Sequence, residues 1–270
     1  AILRWIEHLS DLGSVVTTTG WIEDAAKDAL ETRSKWPCLG ARPLSPGQAE
    51  IPARAESVAA RETGYVQHLD VGALNGCAVA GRAQVFVLAG PGKFVTLGDP
   101  VAWFTGALDA DTLWDAFSVG KTRSFDQDPR FSVIVLSEIA QRALSPGIND
   151  PGTAIDIIGR LTRLLIPFEA ESVAREQGEV RFPEVWIKPV TAGALLRDAF
   201  APIARAGAST VEVQIRLQKA LARLAESGDP EMALAARIES ARALEFAELA
   251  LELEEDRARV RAIAVVPGAG

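Results

Sequence analysis

Apolar residues recur at helical spacing along the opening segment, first Ile2, Trp5, Ile6 and Leu9 and then Trp21, Ile22, Ala25, Ala29 and Leu30. That is the signature of an amphipathic helix. Residues 1–36 are expected to be helical, with a break between Gly13 and Gly20, where the β-branched run Val15-Val16-Thr17-Thr18-Thr19 stands. The pattern is already under way at Ala1, as expected of a helix that continues from an upstream segment, so the chain is read as a fragment with a helical stem. A connector rich in Pro and Gly follows, Trp36-Pro37-Cys38-Leu39-Gly40 to Pro46-Gly47. Its fixed φ angles and missing donors disfavour regular structure and put a boundary near residue 50.

Beyond Ile51 the period changes to two: Val85/Val87, Val95/Leu97 and Val101/Trp103, separated by Gly90-Pro91-Gly92 and Gly98-Asp99-Pro100. Short strands joined by tight turns leave this pattern. Residues 51–106 are therefore expected to form a small β-barrel or sandwich, with one short helix from Asp70 to Ala80. From residue 107 to 270 the chain reads as mainly helical, which makes the fold class α+β. Three helices open with Asp-Pro, at Asp128-Pro129, Asp150-Pro151 and Asp229-Pro230, where the carboxylate caps open N–H groups and proline fits the first helical position. The first is expected to carry a stripe of Phe131, Val135, Ile139 and Ala143, widened by Leu136, Ala140 and Leu144 so that it is buried on more than one side, with Ala154, Ile158, Leu161 and Leu165 of the second as its partner. A short hairpin is expected near 179–190, then a helix capped at Thr191 and ended by Gly207. Ser209 and Glu212 suggest a capping box, and Glu231 to about Arg261 reads as one long helix. Its charged face is expected to be solvated, or to meet another subunit in a homo-oligomer.

Lys and Arg total 28 against 36 Asp and Glu, a net charge of −8 that opposes nucleic acid as a partner. Cys38 and Cys77 stand far apart, without the spacing of a zinc ribbon or a disulfide framework. No run approaches the roughly 18 apolar residues that cross a bilayer, so this part is expected to be soluble. Trp5 and Trp21 suit packing or a membrane edge better than a stacking platform.

Four oxygen-bearing side chains, Asp126, Asp128, Asn149 and Asp150, stand at the starts of two helices and are the strongest candidate cluster. Hard cations such as Mg²⁺ or Ca²⁺ take ligands of this kind; otherwise no cofactor is expected. Capping and turn formation account for the same residues without a ligand. Arg123 and Arg142 would pair with these carboxylates, or face a phosphate or carboxylate ligand. Ser145 and His68, with Asp70, complete the candidates. A triad of His68, Asp70 and Ser145 lacks a nucleophile elbow, since Pro146 makes Ser145 a helix-ending serine. With only His8 and His68 a histidine-rich metal site is excluded, and no phosphate-binding glycine loop opens a helix.

Three segments carry a resemblance. They are Gly64-Tyr65-Val66-Gln67-His68-Leu69-Asp70 with Pro91-Gly92-Lys93-Phe94-Val95 and Gly98-Asp99-Pro100, then Arg123 to Pro129, then Arg142-Ala143-Leu144-Ser145-Pro146-Gly147-Ile148-Asn149-Asp150-Pro151. Together they resemble DUF2254, a bacterial family of predicted membrane proteins, most closely over residues 50–205. The resemblance implies transmembrane helices upstream of Ala1 and a place in the bacterial inner membrane for the full-length protein; it does not settle the side of the membrane, and a cytoplasmic side is the expectation for this part. It also implies that the chain's first partner is its own membrane region. Val85 to Phe104 is similar as well to half of a biotinyl/lipoyl-type, barrel-sandwich-hybrid barrel. Lys93 lacks the methionines that flank a carrier lysine, so a structural barrel is expected. The functional expectation is an assembly, regulatory or gating domain without an enzymatic step. The alternative is a metal- or ligand-dependent sensor or enzyme built on the Asp126/Asp128/Asn149/Asp150 cluster.

Overall fold

The computed structural model describes residues 15–45, 49–168 and 179–267. Among them, residues 29–131 with 179–191 form one compact unit, and residues 15–28 with 132–168 and 192–267 form another. The expected break at Gly13 lies outside the described residues. Helix α1 (Val15–Lys35) runs straight through Thr17-Thr18-Thr19-Gly20. Low propensity costs only about 1 kcal/mol at such a glycine, and burial of Thr19, Ala26 and Leu30 offsets it.

The first unit is built on strands β1 (Ala41–Pro43), β2 (Glu56–Ala59), β3 (Gly64–Leu69), β4 (Val85–Val87), β5 (Phe94–Val95), β6 (Pro100–Phe104), β7 (Phe117–Gly120) and β8 (Phe182–Ile187), with helices α2 (Val71–Ala80) and α3 (Ala110–Trp114). The connector expected to be irregular forms a short 3₁₀ turn over Pro37–Gly40 and then β1. The strands lie in two sheets, ordered β1-β8-β4-β6-β2 and β5-β3-β7, and no closed barrel is formed among the described residues. Physically, β4 and β5 have only three and two residues, too few for the tilted strands that closure requires.

The expected hairpin near 179–190 is instead the single strand β8, parallel to both β1 and β4. Alternation in Val185 and Ile187 marks a strand but does not name its partner. Valines 58, 66, 85, 87 and 101 are fully buried in a core shared with α2 and α3, each contributing about 2 kcal/mol. Asp70 caps α2 by accepting from the Ala73 N–H at 2.8 Å.

The β4–β5 connection, Gly90-Pro91-Gly92-Lys93, is a type II turn. The Lys93 N–H reaches the Gly90 carbonyl at 3.1 Å, and Gly92 takes φ +87°, which glycine adopts without steric cost. The turn is tied to β3 through Gly92 N–H to Val66 O, 2.8 Å, and Val66 N–H to Lys93 O, 2.9 Å.

The remaining helices are α4 (Pro129–Ala143), α5 (Pro151–Leu165), α6 (Ala192–Ala206), α7 (Val211–Ala225), α8 (Pro230–Ala250) and α9 (Glu254–Arg261). On α4 the buried positions are Ser132, Val133, Leu136, Ser137, Ala140 and Ala143, while Phe131, Val135 and Ile139 are half-buried. The widening positions Leu136 and Ala140 thus form the buried centre with Ala143, and Phe131, Val135 and Ile139 flank it. Ala154, Ile158, Leu161 and Leu165 are fully buried, and α5 packs on α7.

The proposed capping box at Ser209/Glu212 is not formed; the cap position is Thr210 and its side chain makes no capping bond. The long last helix divides at Leu251-Glu252-Leu253 into α8 and α9. The bend lets Leu251 and Val260 bury with Ala247 against Val211 and Ile215 of α7, which a straight helix would leave in water. Between α7 and α8 the buried Ser240 hydroxyl donates to Gln218 Oε1 at 2.5 Å, and Gln218 Nε2 donates to the Ser240 carbonyl at 3.0 Å.

Candidate functional site

The segment from Arg123 to Asp128 leads from β7 into α4 and is fastened to β3 within the first unit. Strand β5 pairs only with Gly64 and Tyr65, so it does not reach the end of β3. There Gln127 takes a strand's place. Its Oε1 accepts from the Leu69 N–H at 2.9 Å, and its Nε2 donates to the Leu69 carbonyl at 3.3 Å. One residue back, His68 Nδ1 lies 3.0 Å from Asp126 Oδ2, with both side chains about half exposed.

Asp128 is buried, and Arg123 holds it through Nε at 2.8 Å and Nη2 at 2.6 Å, both on Oδ2. Its other oxygen, Oδ1, accepts from the Phe131 N–H at 3.3 Å, so the predicted helix start is realised together with an ion pair. The Arg123 guanidinium also stands 5.0 Å from the Phe131 ring, which stacks on Phe125. Burial raises the Asp128 carboxyl above the ordinary carboxylate value, against the lowering pull of Arg123 and of the Phe131 N–H. The turn at Gly92 presses on this carboxylate: a Cβ there would sit 2.1 Å from Asp128 Oδ2 and 2.9 Å from Arg123 Nη2. A buried guanidinium–carboxylate pair therefore lies directly under backbone that has no side chain.

Arg142, Ser145, Asn149 and Asp150 belong to the other unit, at the α4–α5 connection. Ser145 ends α4, its hydroxyl donating to the Arg142 carbonyl at 2.7 Å. Asn149 takes φ +49°, a left-handed conformation that asparagine tolerates better than most residues, and its N–H reaches the Ser145 carbonyl at 2.9 Å. Asp150 caps α5, accepting from the Thr153 N–H at 3.0 Å and the Thr153 hydroxyl at 2.6 Å. Those two bonds hold its carboxyl below the usual value. Arg142 is exposed and forms no ion pair among the described residues.

The candidates thus gather as two pairs in the first unit, Arg123–Asp128 and His68–Asp126, and as a helix connection in the second. Asp70 is taken up in capping α2. Gln127 and Gly92, which complete the docking, are not among the candidates. The Gly-Pro-Gly turn signals the glycine, whereas nothing in the sequence signals the glutamine. As for Mg²⁺ or Ca²⁺, among the described residues no three His, Cys, Asp or Glu side chains are placed to hold a metal ion. The donor set fits poorly too, because the oxygens of Asp128 and Asp150 are already engaged by Arg123 and by helix N–H groups.

Among the described residues no helix is long and apolar enough to cross a membrane. Uncharacterized proteins of Mycobacterium tuberculosis and Mycobacterium bovis are each 30% identical over 224 residues, covering 77% of this chain and 42% of the relative. The chain thus spans about two fifths of the length of these curated relatives. No solved structure matches it. The family model described as "Predicted membrane protein (DUF2254)" matches residues 1–223, more than half of the sequence, and the chain belongs to that family.

Proposed function

We propose that this chain is the water-exposed domain of an integral membrane protein and serves assembly or gating of the membrane part rather than a chemical step. The observation that carries the reading is how the family-marking polar residues are used. Asp128 and Arg123 satisfy each other, Gln127 closes the end of β3, and Asp150 caps α5. These are the bonds of a scaffold, and they leave few polar groups facing a substrate. Each unit also has its own buried residues and a surface bearing ion pairs, such as Glu23 with Arg160 and Arg163 at 2.6 and 2.8 Å, as a domain bathed in water requires.

On this reading the first partner is the remainder of the same polypeptide, the assembly is a homo-oligomer, and the domain lies on the cytoplasmic side of a bacterial inner membrane. The reading of a metal- or ligand-dependent sensor or enzyme has less support, since its proposed donors are engaged internally. Alkaline carbonate washing tests the proposal. The full-length protein is expected to stay in the membrane pellet, and brief proteolysis to release a fragment of this chain's size into the supernatant. Full-length protein in the supernatant, or a fragment that stays in the pellet, contradicts it.

A further inference from the structure

In β8, Phe182 packs against the core beside Gly72 of α2, whereas Trp186 stands between the core residues Val185 and Ile187 and turns to the other side of the sheet. On that side Trp186 stacks on Phe86, centroids 5.1 Å apart. Arg42 lies 5.6 Å over the Trp186 ring and donates to the Pro183 carbonyl at 2.7 Å. Close by, the Arg181 guanidinium sits 4.4 Å from Trp36 and 5.4 Å from Phe182, and the Lys35 ammonium sits 5.8 Å from Trp36. The Arg181 N–H bonds the Gly40 carbonyl at 3.0 Å, joining the two groups along the β1–β8 edge. Glu184 borders an open groove of about 560 Å³ that Arg54 and Arg82 also line.

Three cations, Lys35, Arg42 and Arg181, thus lie along this edge, and two more, Arg54 and Arg82, face the groove that Glu184 borders. All five are exposed, and among the described residues none is in an ion pair. In a chain of net charge −8 that local excess is the reverse of the average. Arg82 adds an independent sign. It follows α2 at φ +47°, with the Ala83 N–H on the Ala78 carbonyl at 2.8 Å. Glycine usually holds this left-handed helix-end position, and here an arginine side chain is kept at a backbone cost.

Unpaired guanidinium groups beside half-exposed tryptophans match the headgroup layer of an anionic bilayer. Phosphates take the forks, and the amphipathic rings rest at the boundary with the acyl chains. We propose that this edge of the β-sheet unit seats on anionic phospholipid headgroups. The inference rests on the reading of the chain as the water-exposed domain of a membrane protein, for which such a surface lies within reach. Nucleic acid offers the same phosphates, but the charge of the whole chain repels a long polyanion.

Vesicle flotation tests it, comparing phosphatidylcholine alone with phosphatidylcholine containing about 30% phosphatidylglycerol. The chain is expected to float with the phosphatidylglycerol vesicles only, to be released by roughly 1 M salt, and to show a blue shift of tryptophan emission on binding. Each cation removed should weaken binding about fivefold. Arg82→Gly is the decisive variant, because it relaxes the backbone while deleting a charge; its melting temperature should equal or exceed the parent's while its flotation falls. Arg42→Gln with Arg181→Gln should lower flotation further. Equal flotation with both vesicles, undiminished flotation of a well-folded Arg82→Gly chain, or displacement from vesicles by a short DNA duplex overturns the proposal. Loss of flotation with the full-length protein still in the carbonate-washed pellet removes this surface alone, whereas full-length protein in the supernatant removes the domain reading itself.

Discussion

At Asp128, burial and pairing pull the carboxyl in opposite directions, and burial prevails. A carboxyl whose pKa rises on folding holds its proton more tightly folded than unfolded. Asp128 therefore adds stability as the pH falls toward its ordinary value of 3.8 and withdraws it as the pH rises through the raised value. Arg123, whose side chain is 19% exposed, pairs with it in the folded chain. Asp128→Ala, which strands that guanidinium, should lower stability by about 3 kcal/mol in urea unfolding at pH 7; a loss below about 1 kcal/mol would mean that the pair holds nothing. Gly92→Ala should cost more than about 1 kcal/mol, because its methyl group would fall on Asp128 Oδ2, and a melting temperature equal to the parent's would refute that contact. Of this site, the sequence makes Asp128 legible as a cap and Gly92 as a turn. It does not show that the two touch, because their contact spans 36 residues and depends on how the turn pairs with β3.

Local chemistry makes the Asp-Pro helix starts and the glycine-marked ends legible, though not the start of α7 or the end of α8. The Asp-Pro starts at α5 and α8 are realised, with Asp229 Oδ1 accepting from the Glu231 N–H at 2.8 Å, and α2 ends at Ala80 as the following Gly81 suggests. Asp229→Ala should cost about 1 kcal/mol, read as a lowered urea midpoint; an unchanged midpoint would show that proline alone sets the start of α8. Asp150 behaves oppositely to Asp128. Its carboxyl is lowered by Thr153, so its stabilisation is complete above 3.8 and is lost as the pH falls below that value. The stability difference between the parent and Asp150→Asn should thus be present at pH 7 and vanish near about pH 2, and a difference independent of pH would exclude the carboxylate as its source. Features that depend on distant partners were not legible. Strand β8 joins β1 and β4 across more than 90 residues, and the division between α8 and α9 exists because Leu251 and Val260 find a pocket on α7.

For the whole molecule, the change of hydrophobic period along the chain marks the class as α+β, and the family-marking segments led to DUF2254, whose model covers residues 1–223. The partition into units followed contacts that the chain order hides, with β8 supplied from beyond α5 to a sheet begun at residue 41. The account's central claim is that this chain folds in water, held by its own fasteners, beside a membrane-embedded remainder. Analytical ultracentrifugation of the chain alone, without detergent and at high salt, tests it most directly. The account predicts a folded, monodisperse particle of 28.8 kDa or a small whole-number multiple of it. Heterogeneous aggregates that only detergent disperses would contradict it.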